Sequence, residues 1–412
     1  MKTGLCEGTQ QIVAQFGALV NRLCDQLRSA VSVRQLEQQV RDEGRRVLCS
    51  LLRHLLQSLI DAGQERLRAC PDCGGRRRHQ GVRERRLNSS LGTLALRGIY
   101  FKCTVCGACQ HGVDLAGQEQ VSALMKDLML LAGVSSASFD KAQVVSRHLL
   151  GVDVDDEAIR QLCLREGRLR DTGVACAAAP EGADLVGSCD GTMVNTRQDR
   201  WREVKAMQFR HAGGVYAAAY LEDAHAFAPR LRRVADRLGR HRAGRCIFVS
   251  DCAEWIGGAV KQQLPGFLHV ADYFHATQHV HAAGERVYGR GHPDARKWSA
   301  SVSRRLRERG AATLSDKLRR LALFYRDVSQ QRAVLDLCRY LDKHAAKMDY
   351  GRFRREQIPI DSGAMESFCK QLGLRLKGPG MRWNVGNVNA MANLVSRWVT
   401  DPGHAFSGAS AA

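Results

Sequence analysis

The chain has 412 residues, enough for two or three domains; its 44% hydrophobic and 25% charged residues and mean hydropathy of −0.30 are globular values. No run approaches the roughly 20 consecutive apolar residues of a membrane-spanning helix. The residues after Met1 also lack the apolar core and cleavage site of a signal peptide, so a cytoplasmic protein is expected. Lys and Arg number 62 against 42 acidic residues, a formal charge of +20 that attracts a polyanion.

On charge alone DNA, RNA and anionic membrane all qualify. The basic residues fall in separate clusters, Arg76 to Arg78, Arg230 to Arg245, Arg304 to Arg320, Arg352 to Arg355 and Arg375 to Arg382. Single clusters of this kind are often solvated helix faces; five along one chain fit a long polyanion better. Fifteen cysteines in a large, unsecreted, basic chain read as reduced thiols or metal ligands rather than disulfides.

Residues 1–65 read as a helical N-terminal region. Ile12, Val13, Phe16, Leu19, Val20, Leu23 and Leu27 recur at helical spacing, as do Val47, Leu48, Leu51, Leu52, Leu55, Leu56 and Leu59, closed by Gly63. A packed helical hairpin is expected from the two stripes, with a dimer seam as the alternative.

Residues 66–116 read as a zinc ribbon. Cys70-Pro-Asp-Cys73 and Cys103-Thr-Val-Cys106 are two knuckles, each followed by Gly, able to give four thiolates to one tetrahedral Zn²⁺. Residues 74–102 supply the connecting strands. Such a site is closed, so it shapes the domain and does no chemistry. Cys109 is an incidental neighbour, and Arg76, Arg77, Arg78, Arg83, Arg85 and Arg86 make the module a candidate DNA contact.

Residues 117–175 return to helical patterning, either a helix-turn-helix-like DNA-binding domain or a plain helical linker domain. The run at 175–184 carries Ala, Pro and Gly and reads as a linker. From 184 the pattern turns to β. DLVGSCDGTMV, EVKAMQFRH and GGVYAAAYLE are three strands, then a helix over 224–238, the buried strand RCIFVSD, a helix over 253–264 and the strand GFLHVADYF. Residues 276–355 are helical and basic, a helix follows Pro359, and 401–412 form a tail.

Three acidic residues sit where a metal-dependent nuclease needs them. Asp190 interrupts the first strand, Asp251 ends RCIFVSD, and Glu366 lies on the helix near Ser362. Phosphodiester chemistry is served by two Mg²⁺ or Mn²⁺ ions about 3.5–4 Å apart, and carboxylates from distant parts of the chain suffice to hold them. A β-β-β-α-β-α order can bring the first and fourth strands side by side. Each acidic residue taken singly also reads as a cap or surface charge. Asp272 rivals Asp251, and Asp272-Tyr-Phe-His275 reads either as an N-cap with a buried histidine or as an accessory pair near the metals. His275 and His279 have a zinc-compatible spacing, but Ala276 stands where the HExxH protease motif needs glutamate.

Together these residues resemble the transposases of the Kra-type insertion sequences, the ISKra group within the DDE, Mutator-like set. The likeness runs from the zinc ribbon to about residue 398. It is most specific in IDSGAMESFCKQ (360–371) and RLKGPGMRW (375–383), and extends to Cys189-Asp190-Gly191, Trp201-Arg-Glu-Val-Lys205 and Val249-Ser-Asp251-Cys-Ala-Glu-Trp255-Ile. One departure is Cys252, where an Asp-Gly turn is expected.

The resemblance implies an RNase H-like α/β catalytic core over 184–275 and 356–400, interrupted by a helical insertion at 276–355. It implies Asp190, Asp251 and Glu366 as the metal triad of a transposase, Asp190 bridging two Mg²⁺ or Mn²⁺ ions. Asp272 and His275 match the group's C/D-x-x-H motif. The expected reaction is hydrolysis at the element's ends and attack of the freed 3′-OH on target DNA. Lys370, Arg375, Lys377 and Arg382 are expected on phosphates; Trp383 is either a base-stacking residue or a core tryptophan. Paired ends require a homodimer or larger synaptic complex. The alternatives are a catalytically silent zinc-ribbon DNA-binding protein, which loss of a triad carboxylate would mark, and an RNase H-like resolvase.

Overall fold

The computed structural model describes residues 7–26, 32–63, 68–113, 120–169, 176–403 and 406. Leu27, the first residue of the linker at 175 and most of the tail at 401–412 lie outside them. The chain divides into two compact units, one reaching to Leu162 and the other beginning at Cys163.

In the first unit α1 (Glu7–Gln26) and α2 (Val33–Gly63) pack together as a hairpin. An antiparallel sheet in the order β1-β2-β3 follows, from β1 (Arg77–Ser89), β2 (Gly92–Cys103) and β3 (Cys109–His111). Leu52, Leu56 and Ile60 of α2 pack against Leu87, Leu94 and Leu96 of the sheet, so one edge of the second apolar stripe makes a core. Leu19 is buried as well, but much of the two stripes stays outside: Val13, Phe16, Leu55 and Leu59 are 57, 58, 51 and 66% exposed.

Next come α3 (Ala123–Ser135), α4 (Phe139–Val145), a π-helical turn (Ser146–Leu150) and α5 (Asp156–Leu169). The serines before α3 and α4 end the apolar pattern because they cap: Ser122 accepts from Met125 N and Ser138 from Lys141 N.

The second unit is built on a five-stranded sheet. Its strands are β4 (Leu185–Thr196), β5 (Arg200–His211), β6 (Gly214–Tyr220), β7 (Cys246–Ser250) and β8 (Leu268–Ala271). The order is β6-β5-β4-β7-β8, with β5 antiparallel to both neighbours and β7 and β8 parallel to β4. The crossovers are α6 (Ala224–Arg237), after β6, and α7 (Glu254–Gln263), after β7. Phe227, Leu231 and Ala235 of α6 and Ile256 and Val260 of α7 close over Leu185, Met207, Phe209 and Phe248. β7, parallel to both its neighbours and covered on both faces, is the one that reads as a compact apolar run, CIFVS.

After β8 the chain is helical: α8 (Tyr273–Tyr288), α9 (Pro293–Arg309), α10 (Ala311–Ala322), α11 (Val328–Lys343) and α12 (Tyr350–Arg355). These helices share one core with the sheet, in which Val280, Leu306, Leu314, Leu337 and Phe353 pack with Ile247, Val249 and Val270. The expected insertion is therefore fused to the sheet, and its first helix starts at Tyr273, three residues before the expected boundary. Last are α13 (Gly363–Leu376), which packs on β4, and α14 (Val385–Thr400), which packs on β6. Among the described residues no helix is long and apolar enough to cross a membrane.

Candidate active site and metal centre

β4, β7 and β8 run in step. Ser188 lies opposite Val249, and Val249 opposite Val270. Carrying that register two residues on sets Asp190, Asp251 and Asp272 at corresponding positions across three neighbouring strands, which are spaced about 4.8 Å apart. β7 and β8 end at Ser250 and Ala271, so Asp251 opens a short loop and Asp272 caps α8, while Asp190 stays within the longer β4.

Asp190 and Asp251 form a half-buried pair of like charges. Burial and then the Asp251 carboxylate push the Asp190 pKa up, opposed by the Gly191 N–H, the nearby His275 and a hydrogen bond from Cys369. Each aspartate is turned by the main chain that follows it: Gly191 N donates to Asp190 Oδ1 at 2.7 Å and Ala253 N to Asp251 Oδ1 at 2.9 Å. The residue after Asp251 is left-handed, with φ of 65° at Cys252. A glycine would take that conformation without strain, and a non-glycine residue holds it at a cost of about 1–3 kcal/mol.

Asp272 is different. It is 2% exposed, and both its oxygens are engaged. Oδ1 accepts from His275 N at 2.9 Å and faces His275 Nδ1 at 3.3 Å. Oδ2 accepts from Ser362 N and Ser362 Oγ, both at 2.6 Å. Burial alone would raise its pKa, but the bonds from His275 and Ser362 outweigh it and hold the group at about 2. Asp272 thus caps α8 and ties β8 to the residue just before α13. Its hydrogen bond raises the pKa of His275, and the charges of Asp251 and Asp190 add to that shift.

Glu366 stands on the first turn of α13 with its side chain 62% exposed, paired with Lys370 at 2.9 Å. One turn later on the same helix, Cys369 meets Asp190, and its thiol is pushed up by burial and by the Asp190 and Glu366 charges. Among the described residues, the oxygens of Asp190, Asp251 and Glu366 do not all lie within 4.8 Å of one another. Two ions about 3.5–4 Å apart, each with oxygens at about 2.1 Å, span a wider group than that.

The expected phosphate contacts divide. Lys370, Lys377 and Arg382 are exposed. Arg375 is corrected: it is 1% exposed, its guanidinium 5.5 Å from the Trp383 ring, and burial brings its pKa down to about 10. The reason is its place three residues after buried Leu372, on the apolar stripe of α13. Trp383 is the core tryptophan of the two readings, 7% exposed, its Nε1 donating to Leu376 O at 3.1 Å. His279 stacks on Tyr340 with ring centroids 3.8 Å apart and joins no ligand cluster among the described residues. Ser362 and Cys369 went unassigned in the sequence, although both lie in the 360–371 motif; only Ser362, just ahead of a helix start, carried a legible signal.

In the first unit Cys70, Cys73, Cys103 and Cys106 gather their sulfurs within 4.8 Å of one another, a group able to hold a metal ion. The Cys70–Cys106 and Cys73–Cys103 separations are 3.6 and 3.5 Å, close to the roughly 3.8 Å between sulfurs on a tetrahedral ion with bonds of about 2.3 Å. Gly74 and Gly107, which close the two knuckles, have φ of 68° and 73°, so glycine is the residue that turns each knuckle without strain. Cys109 begins β3 and stays outside the group. Neither the protein-family models nor the curated proteins compared with this chain match it.

Proposed function

We propose that this chain is a DNA transposase with an RNase H-like catalytic core, cutting and joining phosphodiesters at a site formed by Asp190, Asp251 and Glu366. The observation that carries the reading is the alignment of Asp190 and Asp251 on the first and fourth strands of a sheet whose strands run 3-2-1-4-5. Its support is a like-charge pair that a cation would relieve, on the sheet whose third expected carboxylate arrives on the helix packed against β4. Hard oxygen donors of this kind suit Mg²⁺ or Mn²⁺.

Asp190 and Asp251 would hold the ions, with Glu366 joining once Lys370 releases it. Bound there, the ions supply Lewis-acid activation of the attacking oxygen and charge neutralisation at the leaving one. The chain's own part is positioning. Asp272 fixes the start of α13 and orients His275 beside the two aspartates. The four cysteines would hold structural Zn²⁺. Chemistry at two element ends calls for a homodimer or larger complex on DNA, and the exposed row on α1 and α2 supports such pairing.

The test is cleavage of linear DNA carrying both flanks of the gene, with Mg²⁺ or Mn²⁺, beside Asp251→Asn. Discrete nicks at inverted ends, abolished by the substitution while DNA binding persists, are expected. Binding by both proteins with no metal-dependent cut would overturn the enzyme in favour of a DNA-binding protein, and cleavage of branched DNA without end specificity would favour a resolvase.

A further inference from the structure

The turn between β4 and β5 carries a small cavity that the proposed cutting site does not use. It is about 420 Å³ and lined by Asn195, Thr196, Arg197, Gln198, Arg200, Trp201 and Arg382. No carboxylate lines it. Trp201 is 60% exposed, an unusual place for an indole, which is on average highly buried.

The walls are fixed. Trp383 N donates to Asn195 O at 3.0 Å, and Arg197 N to Trp383 O at 2.9 Å, so the turn is stitched to the segment that carries Arg382. Buried Trp383 anchors that segment, which leaves its neighbour Arg382 exposed at the cavity. Within the turn, Asp199 N donates to Thr196 Oγ1 at 3.1 Å, and Arg200 takes a left-handed φ of 56°. The result is a preformed recess with three guanidiniums, two side-chain amides and one aromatic face.

We propose that this cavity receives one unpaired nucleotide of a bound DNA strand, its base against Trp201 and its phosphate among Arg197, Arg200 and Arg382. This rests on the DNA reading above. Guanidiniums alone would suit any anion, and an aromatic face alone any apolar group; a nucleotide is the chemistry that needs both, with Asn195 and Gln198 to meet base edges. The turn begins six residues beyond Asp190 on the same strand, about 20 Å away at a strand rise of about 3.3 Å. The nucleotide is therefore expected about six positions from the scissile phosphate, at about 3.4 Å per step.

A double-mutant cycle tests it, using the full chain and labelled duplexes in anisotropy titrations. One duplex carries a single bulged nucleotide, a second the same bulge without its base, and a third is fully paired. The wild type is expected to prefer the bulge with a base over the abasic bulge by about tenfold. Trp201→Ala should abolish that preference and leave affinity for the paired duplex unchanged, and Trp201→Phe should restore part of it. If Trp201→Ala retains the preference, or weakens all three duplexes equally, the cavity does not take a base and the inference falls while the DNA reading stands. If free deoxynucleotide competes as well as the bulged duplex, the site is a free-nucleotide pocket and the proposal is wrong. Failure of the wild type to bind any duplex would remove the DNA reading itself.

Discussion

Asp272 Oδ2 takes both donors of Ser362, the backbone N–H and the hydroxyl, each at 2.6 Å and 90 residues away in sequence. The bond pair joins the end of β8 to the start of the helix that carries Glu366 and Cys369. A buried carboxylate with this many donors is a clamp, and charge-assisted bonds of this kind are worth about 1.5–3 kcal/mol each. Asp272→Asn should therefore destabilise the second unit by about 2–4 kcal/mol in urea unfolding, because an amide cannot accept all four contacts. Ser362→Ala, which keeps the backbone donor, should cost about 1 kcal/mol. Mn²⁺ titration separates clamp from ligand: Ser362→Ala is expected to bind Mn²⁺ within about twofold of wild type. An unchanged unfolding midpoint in Asp272→Asn would falsify the clamp.

Asp190 and Asp251 give the opposite expectation. They are like charges at matching positions of two neighbouring inner strands, Asp190 partly withdrawn from water and its raised pKa only partly offset by His275. In chelator, either Asp190→Asn or Asp251→Asn should raise stability by about 0.5–2 kcal/mol, as functional charges held together commonly cost stability. With Mn²⁺ present the order should reverse, since only the wild type gains from binding. Thermal unfolding with and without metal reads both signs. A loss of stability in chelator for both variants would show that the pair is held by the protein rather than by a cation.

Much of this was legible in the sequence for identifiable reasons. The knuckles were read from four cysteines and two following glycines, because a closed tetrahedral site fixes residue type, spacing and turn conformation together. The strands were read from apolar runs, and Asp251 from its place at the end of one. The neighbourhood of the first and fourth strands follows from the β-β-β-α-β-α order, but the register that adds Asp272 to the row of Asp190 and Asp251 was not legible, because residue-by-residue pairing is a tertiary fact. Asp272 reads either as a cap or as a ligand candidate, and its bonds to His275 and Ser362 make it the cap of α8. Arg375 misled for a similar reason: a guanidinium in a basic cluster reads as surface, and only the stripe through Leu372 and Leu376 shows it to be inside. At Cys252 a non-glycine residue holds a left-handed φ of 65°, a strained turn that residue type alone does not announce.

Among the described residues the core beside the four-cysteine group is small, Ile60, Leu87, Leu94, Leu96 and Val113 with Cys49, Leu52 and Leu56 packed against it, so a metal there would add much of the local stability. Chelation, or Cys103→Ser, should unfold the ribbon and leave the sheet unit from Cys163 onward intact, giving two separated transitions where the loaded protein shows a higher first one. Cys109→Ser should change neither. Metal content by absorption spectroscopy is expected at about one Zn²⁺ per chain in wild type and Cys109→Ser, and near zero in Cys103→Ser. Equal zinc in all three would mean that other residues hold it.

His269 gives the second unit an acid sensitivity of defined sign. It lies on β8 with Nε2 2.9 Å from Ser250 Oγ, and burial, then Lys347 and His344, bring its pKa from 6.5 down to about 3. A lowered folded pKa means that the unfolded chain binds the proton more readily, so this contribution is fully present above pH 6.5 and is lost as pH falls towards about 3. His269→Gln can keep a hydrogen bond to Ser250 without a titrating group. Between pH 6.5 and about 5 the wild type should lose about 1–2 kcal/mol relative to that variant in urea titrations. Identical pH profiles for the two proteins would place a charged imidazole in the fold, and the neutral His269–Ser250 pair would be wrong.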